Sequence, residues 1–161
     1  MKRIALLLLL TLVQQSWSHA QDFTKMTKKE GFVPFYLDEE KGKIYLEIDK
    51  LNQELLYVNT LTAGIGSNDI GLDRGKLGDT RVVEFRKAGN KITMVHKNYD
   101  YRAYTNNPYE AKSIQDAFAE STLWGFEIVK TDGTNFLVDG TNFFLQDVHG
   151  VSETLARSRQ G

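Results

Sequence analysis

The chain has no cysteine. That one absence removes disulfides, thiolate nucleophiles, thiolate zinc sites and iron–sulfur clusters, and leaves stability to the hydrophobic core. Histidine is scarce, with three in 161 residues. Only one long apolar run exists, Ile4 to Val13, broken by Thr11. Ten residues fall short of the ~20 that a membrane span needs, and no second run follows. Basic residues never cluster densely enough to suggest a nucleic-acid partner. No H-E-x-x-H occurs, and Ser113, Ser121 and Ser152 lack the G-x-S-x-G context of an activated nucleophile.

What is present begins with a targeting segment. Lys2 and Arg3 precede the apolar run, and Ser18-His19-Ala20 offers small residues at the −3 and −1 positions of a signal-peptidase site. Residues 1–20 therefore read as a signal peptide, and the protein is expected to be exported, to the periplasm or outside the cell. With no cysteine after the run, lipoprotein anchoring is excluded. Cleavage after Ala20 leaves 141 residues, enough for one domain with a real core. Loss of Lys2 and Arg3 leaves 18 basic against 21 acidic residues, a net charge of −3. No membrane span is expected in the mature chain.

Residues 21–30 are polar and aperiodic and read as a flexible linker. From residue 31 the texture is β-type. Val33 to Asp38 and Lys43 to Ile48 flank Glu39-Glu40-Lys41-Gly42, a hairpin signal with glycine at the left-handed position. In the second run Ile44, Leu46 and Ile48 alternate with Tyr45 and Glu47, as in a sheet with one wetter face. Leu55 to Leu61 predicts a third strand. Arg81 to Arg86 and Ile92 to His96 form a further hairpin, and Phe126 to Lys130 joins Asn135 to Val138 across an Asp-Gly turn. Between them the period changes to 3.6: Asn107 caps, Pro108 starts, and Ala111, Ile114, Ala117 and Phe118 share a face. A helix is predicted at about 108–122, with a last helix from Val151 to Arg157 and a short extension at Phe143 to Leu145. The expected class is α+β: a mainly antiparallel sheet of hairpins with one amphipathic helix packed on it. Residues 31–161 form this β-rich module. The polar end Arg157 to Gly161 carries no closing turn, so the module is expected to be truncated at its C-terminal side.

Three constellations are candidates for function. The longest connection, Ala63 to Thr80, is rich in glycine and exceeds the usual loop length of ~4–6 residues. It matches neither the dinucleotide fingerprint nor the P-loop, since Gly75-Lys76 is followed by Leu77. Asn68, Asp69, Asp73 and Asp79 carry oxygens suited to calcium, though not in EF-hand order; with Arg74 they make a candidate binding loop, against the plainer reading of a surface loop held by Asx turns. Asp147, His149 and Glu153 would bring carboxylate and imidazole together if the chain turns helical at Val151, the alternative being loop residues capping that helix. His96, at a strand end, reads as a surface or cross-strand residue. Tyr99, Tyr101 and Tyr104, with Tyr109 and Arg102 nearby, form an aromatic patch able to stack on sugars or grip a peptide; tyrosines are also ordinary sheet residues.

Four segments carry a family resemblance: GFVPFYLDEEKGKIYLEI, GIGSNDIGLDRG, AESTLWGFEI and VDGTNFFLQDVHGV. The resemblance covers most of the mature chain, from about Gly31 to Gly161. In this set the chain resembles the N-terminal non-catalytic module, a domain of unknown function, that precedes the peptidase domain in secreted bacterial zinc-dependent metalloproteases. The resemblance implies an exported hydrolase whose zinc and H-E-x-x-H lie downstream. None of the family's zinc ligands nor its catalytic glutamate has a counterpart here, so no catalytic residue and no cofactor is assigned to this chain. The expected partners are the peptidase domain of the same polypeptide and protein or peptide substrates. The expected role is that of a scaffold or accessory region, inactive alone. The alternative is a stand-alone secreted module that binds peptide or glycan.

Overall fold

The computed structural model describes residues 23–64 and 69–159. The signal-peptide reading, the first two residues of the linker, Asn68 of the glycine-rich loop and the last two residues lie outside them. Eight strands run in chain order: β1 (Thr27–Lys29), β2 (Phe35–Asp38), β3 (Lys43–Ile48), β4 (Glu54–Tyr57), β5 (Arg81–Ala88), β6 (Lys91–His96), β7 (Ser121–Asp132) and β8 (Asn135–Asp139). Among the described residues three α-helices accompany them, α1 (Pro108–Ala117), α2 (Thr141–Phe144) and α3 (Val151–Arg157), with a 3-10 turn at Phe23–Lys25. All strand pairs are antiparallel, in one sheet of order β1-β2-β3-β8-β7-β6-β5-β4. The class is α+β. Among the described residues no helix is long and apolar enough to cross a membrane.

The hairpins follow from local chemistry. Gly42 (φ 62°) and Gly133 (φ 58°) take the left-handed turn conformation that side chains resist. Asp38 tightens the first turn by accepting from the Lys41 amide at 3.0 Å. The sheet order does not follow from neighbours in sequence. The chain leaves β3, crosses the whole sheet to lay β4 on the far edge, and returns strand by strand until β8 pairs with β3. Leu51 makes the crossing, bridging Phe85, and the Asn52 amide donates to the Phe85 carbonyl at 2.8 Å.

One face of the sheet holds the core: Leu46, Ile48, Val83, Phe85, Ile92, Met94, Phe126, Phe136 and Val138. Period 2 puts these side chains on the same side of their strands. Burying each of the larger ones contributes roughly 1.5–3 kcal/mol. Helix α2 closes one end. Its Thr141 hydroxyl accepts from the Ile44 amide at 3.1 Å, and its Phe143 ring lies 5.2 Å from Phe126 and 5.7 Å from Trp124.

Four local expectations change. The other face is not uniformly wetter: Tyr45 is fully buried there, with the Phe23 ring edge-on at 5.4 Å. Thr27–Lys29, read as linker, is an edge strand paired with β2. Phe143 and Phe144 belong to a helical turn, not a strand extension. Helix α1 stops at Ala117, not near 122. Its capping residue Phe118 donates its amide to the Ile114 carbonyl at 3.0 Å, and β7 already begins at Ser121. Between them Glu120 is held at 2.5 Å from both Arg86 and Lys97, which draws the chain back to the sheet. No α1 side chain is fully buried; Ile114 and Phe118 are half-buried.

Candidate ligand cleft

Residues 59–61 and 75–78 continue the β4–β5 pairing past the regular strands. The Leu61 amide donates to the Lys76 carbonyl at 2.9 Å, the Gly75 amide to the Leu61 carbonyl at 2.7 Å, and Thr60 bridges Leu77. The glycine-rich loop is thus the tip of one long hairpin. Leu72, with 1% of its surface exposed, anchors the described part of the tip. Gly64 is required there: a Cβ would sit 2.6 Å from the Arg74 nitrogen.

Beside this hairpin end opens a cleft of about 440 Å³. Its apolar wall is Tyr57, Leu123 and Phe143, the Tyr57 and Phe143 rings 6.0 Å apart. Leu77 and Val148 form its exposed rim. Asn59 and His149 close one side, with Asn59 Nδ2 3.1 Å from His149 Nε2. An amide nitrogen only donates, so Nε2 accepts and the imidazole proton sits on Nδ1. Gly78 makes room for this pair: a Cβ there would lie 2.4 Å from Asn59 Oδ1. Two cations complete the lining. Arg81 pairs with Asp79 at 2.8 Å, and that Asp79 side chain is 81% exposed. Lys76 has no ion-pair partner among the described residues.

The sequence-derived candidates distribute unevenly. Asp69, Asp73 and Arg74 are exposed on the hairpin tip and outside the cleft. Asp147 does not face His149 as a co-ligand. It accepts from the Val151 and Ser152 amides at 3.0 and 2.9 Å, and these bonds hold its carboxyl below the usual range. That is capping of α3, at the positive end of the helix. Glu153 lies 3.9 Å from Arg157 along α3. Among the described residues no three His, Asp or Glu side chains are grouped to hold a metal ion. His149 alone of the three lines the cleft. His96 is a cross-strand residue between Val83 and Ser121.

The tyrosines lie elsewhere, along a groove of about 500 Å³ between the 97–103 segment and α1. Tyr101 stacks on Phe118 at 3.9 Å and 7°. Arg102 covers the Tyr99 ring at 4.2 Å, while the Tyr99 hydroxyl donates to Glu54. Tyr104, 93% exposed, is not part of the groove. Behind the groove Arg86 binds Glu84 and Glu120, and Lys97 binds Glu120. The Arg86 guanidinium, seconded by the Lys97 ammonium, holds Glu120 at about 2.

A family model described as a domain of unknown function (DUF5117) matches residues 75–161, more than half of the chain. The chain belongs to the DUF5117 family. A second model, domain of unknown function (DUF5118), matches residues 19–64. Neither description names an activity. No curated protein and no solved structure matches the chain. The break between the two matched segments falls at the hairpin tip. In the sheet the two segments interleave: the DUF5118 segment supplies β1, β2 and β3 at one side and β4 at the other, with the DUF5117 strands between. The cleft takes Tyr57 and Asn59 from the first segment and Lys76, Arg81, Phe143 and His149 from the second. Of these only His149 stood out in the sequence. The rest come together through the extended hairpin, which Gly75 and Gly78 disguise as loop.

Proposed function

We propose that this chain is the N-terminal, non-catalytic accessory region of an exported zinc-dependent metalloprotease. Its role is to pack against a peptidase domain carried by the same polypeptide and to help shape that domain's substrate cleft. The observation that carries this reading is apolar surface left exposed among the described residues. Phe144 and Leu145, at the end of α2, are 51% and 74% exposed, side by side. An apolar pair on a segment otherwise sewn to β3 suits a docking face. The N-terminal targeting pattern, the four resembling segments and the want of any H-E-x-x-H in the sequence agree with it. Zinc belongs, in this reading, to the peptidase domain.

The coding sequence beyond Gly161 tests the proposal. An in-frame H-E-x-x-H is the expected result; a stop codon directly after Gly161 overturns it. The chain by itself is expected to bind no stoichiometric zinc and to cleave no casein. A zinc ion retained through dialysis together with proteolysis would contradict the non-catalytic assignment.

A further inference from the structure

We propose that the cleft between the hairpin end and the 143–149 segment binds an extended peptide that presents an acidic side chain next to an apolar one. The inference stands on the cleft alone, whether or not a peptidase domain is attached.

Three observations converge. The cleft's volume lies within the ~300–1,000 Å³ of small-ligand sites, and it is open, so a chain can pass through instead of ending inside it. Its wall is aromatic and aliphatic: Tyr57, Phe143 and Leu123, with Val148 at the lip. Its charge is positive. Lys76 and Arg81 face one carboxylate, Asp79, on a protein whose formal net charge is −1. Arg81's partner is largely in water, where such a pair contributes little and exchanges easily. Lys76 is free to take a carboxylate.

Each simpler occupant leaves something unmatched. A bare anion would leave the Tyr57–Phe143 wall uncovered. A neutral apolar segment would leave Lys76 without a counter-charge. A fatty acid would satisfy both but not the polar side, lined by the His149–Asn59 pair and by Gln146, whose amide nitrogen donates to the Phe143 carbonyl at 3.0 Å and whose oxygen can accept. A peptide backbone supplies the alternating donors and acceptors that such groups recognise. The Asn59–His149 pair is also held in place, because Asn59 is wedged against Gly78. A pre-set pair needs no ordering when the ligand arrives.

The test measures binding of a short fluorescein-labelled peptide alternating Glu and Leu to the full chain, by anisotropy. The controls alternate Lys with Leu and Glu with Ser. The expected result is saturable binding of the Glu/Leu peptide that weakens as salt rises, with little binding of either control. Lys76→Glu should weaken it by at least about tenfold, and Lys76→Gln by less. Val148→Asp, which puts a charge on the lip, should weaken it comparably. Lys76 and Val148 are both exposed, so a cooperative melt near that of the parent is expected in each case. No binding of the Glu/Leu peptide, equal binding of either control, or unchanged affinity in a folded Lys76→Glu protein would overturn the proposal. Displacement by laurate as readily as by unlabelled peptide would overturn the peptide assignment.

Discussion

Two concavities of this protein, the groove beside α1 and the cleft beside the hairpin end, are of similar size and opposite character. In the groove beside α1 the functional-looking groups are already matched with one another. Tyr101 faces Phe118, Tyr99 faces Arg102, and Glu120 holds both Arg86 and Lys97. In the cleft beside the hairpin end they are not: Lys76 has no partner among the described residues, Arg81's partner is mostly in solvent, and the apolar lip is bare. Residue type drew attention to the groove, whereas the state of those residues points to the cleft. A tyrosine with a covered face has less to offer a sugar than its presence in a sequence suggests.

Phe126→Ala removes the ring that links Phe85 in the core to Phe143 in the cleft wall. It should cost about 3–5 kcal/mol and abolish both concavities, read as a drop in the urea midpoint with loss of peptide binding. Gly78→Ala should separate them. The added methyl collides with Asn59 and must displace it from His149, at a cost of about 1–3 kcal/mol. Peptide binding should vanish, while the environment of Tyr101 and Phe118, followed by NMR, should not change. Asp147→Ala should speed amide exchange at Val151 and Ser152, leaving the groove intact.

The groove has its own signature in pH. Glu120 is held at about 2, below its ordinary value of 4.5, by Arg86 and then Lys97. A lowered folded-state value means the unfolded chain takes up the proton first. The stabilisation is therefore complete above the ordinary value and is lost as pH falls through about 2. Urea unfolding at several pH values should show this decline, and Glu120→Gln should flatten it without touching peptide binding. The smallest effect belongs to Tyr104→Ala. That side chain is 93% exposed and outside both concavities, so stability should stay within about 0.5 kcal/mol and peptide affinity unchanged.

The hairpins were legible because their instructions are local: Gly42 and Gly133 at turns, alternation in Lys43–Ile48, the Asn107–Pro108 start of α1. The end of α1 was not. Ser121 to Gly125 has no clean alternation, and Glu120 looks like one more helical residue until Arg86, on β5, and Lys97, just past β6, claim it. The order of the sheet was hidden for the same reason, since nothing near Leu46 names Val138 as its neighbour. The cleft draws on residues from 57 to 149, which no window on the sequence brings together. Asp147 shows the reverse case. Its spacing to His149 and Glu153 suggested ligation, and its nearest backbone amides took it first.

The pairing of β3 with β8 also sets a timetable. As the chain is made, Leu46 and Ile48 appear some ninety residues before Val138 and Phe136, the strand partners they will cover. For that interval the inner edge of β3 has no strand beside it, and such edges invite pairing with other chains. Among the described strands β8 is synthesised latest, and it is the one that joins the first three to the rest of the sheet. Completion of the sheet then waits for β8, and its most vulnerable moment falls just before Asn135–Asp139 arrives.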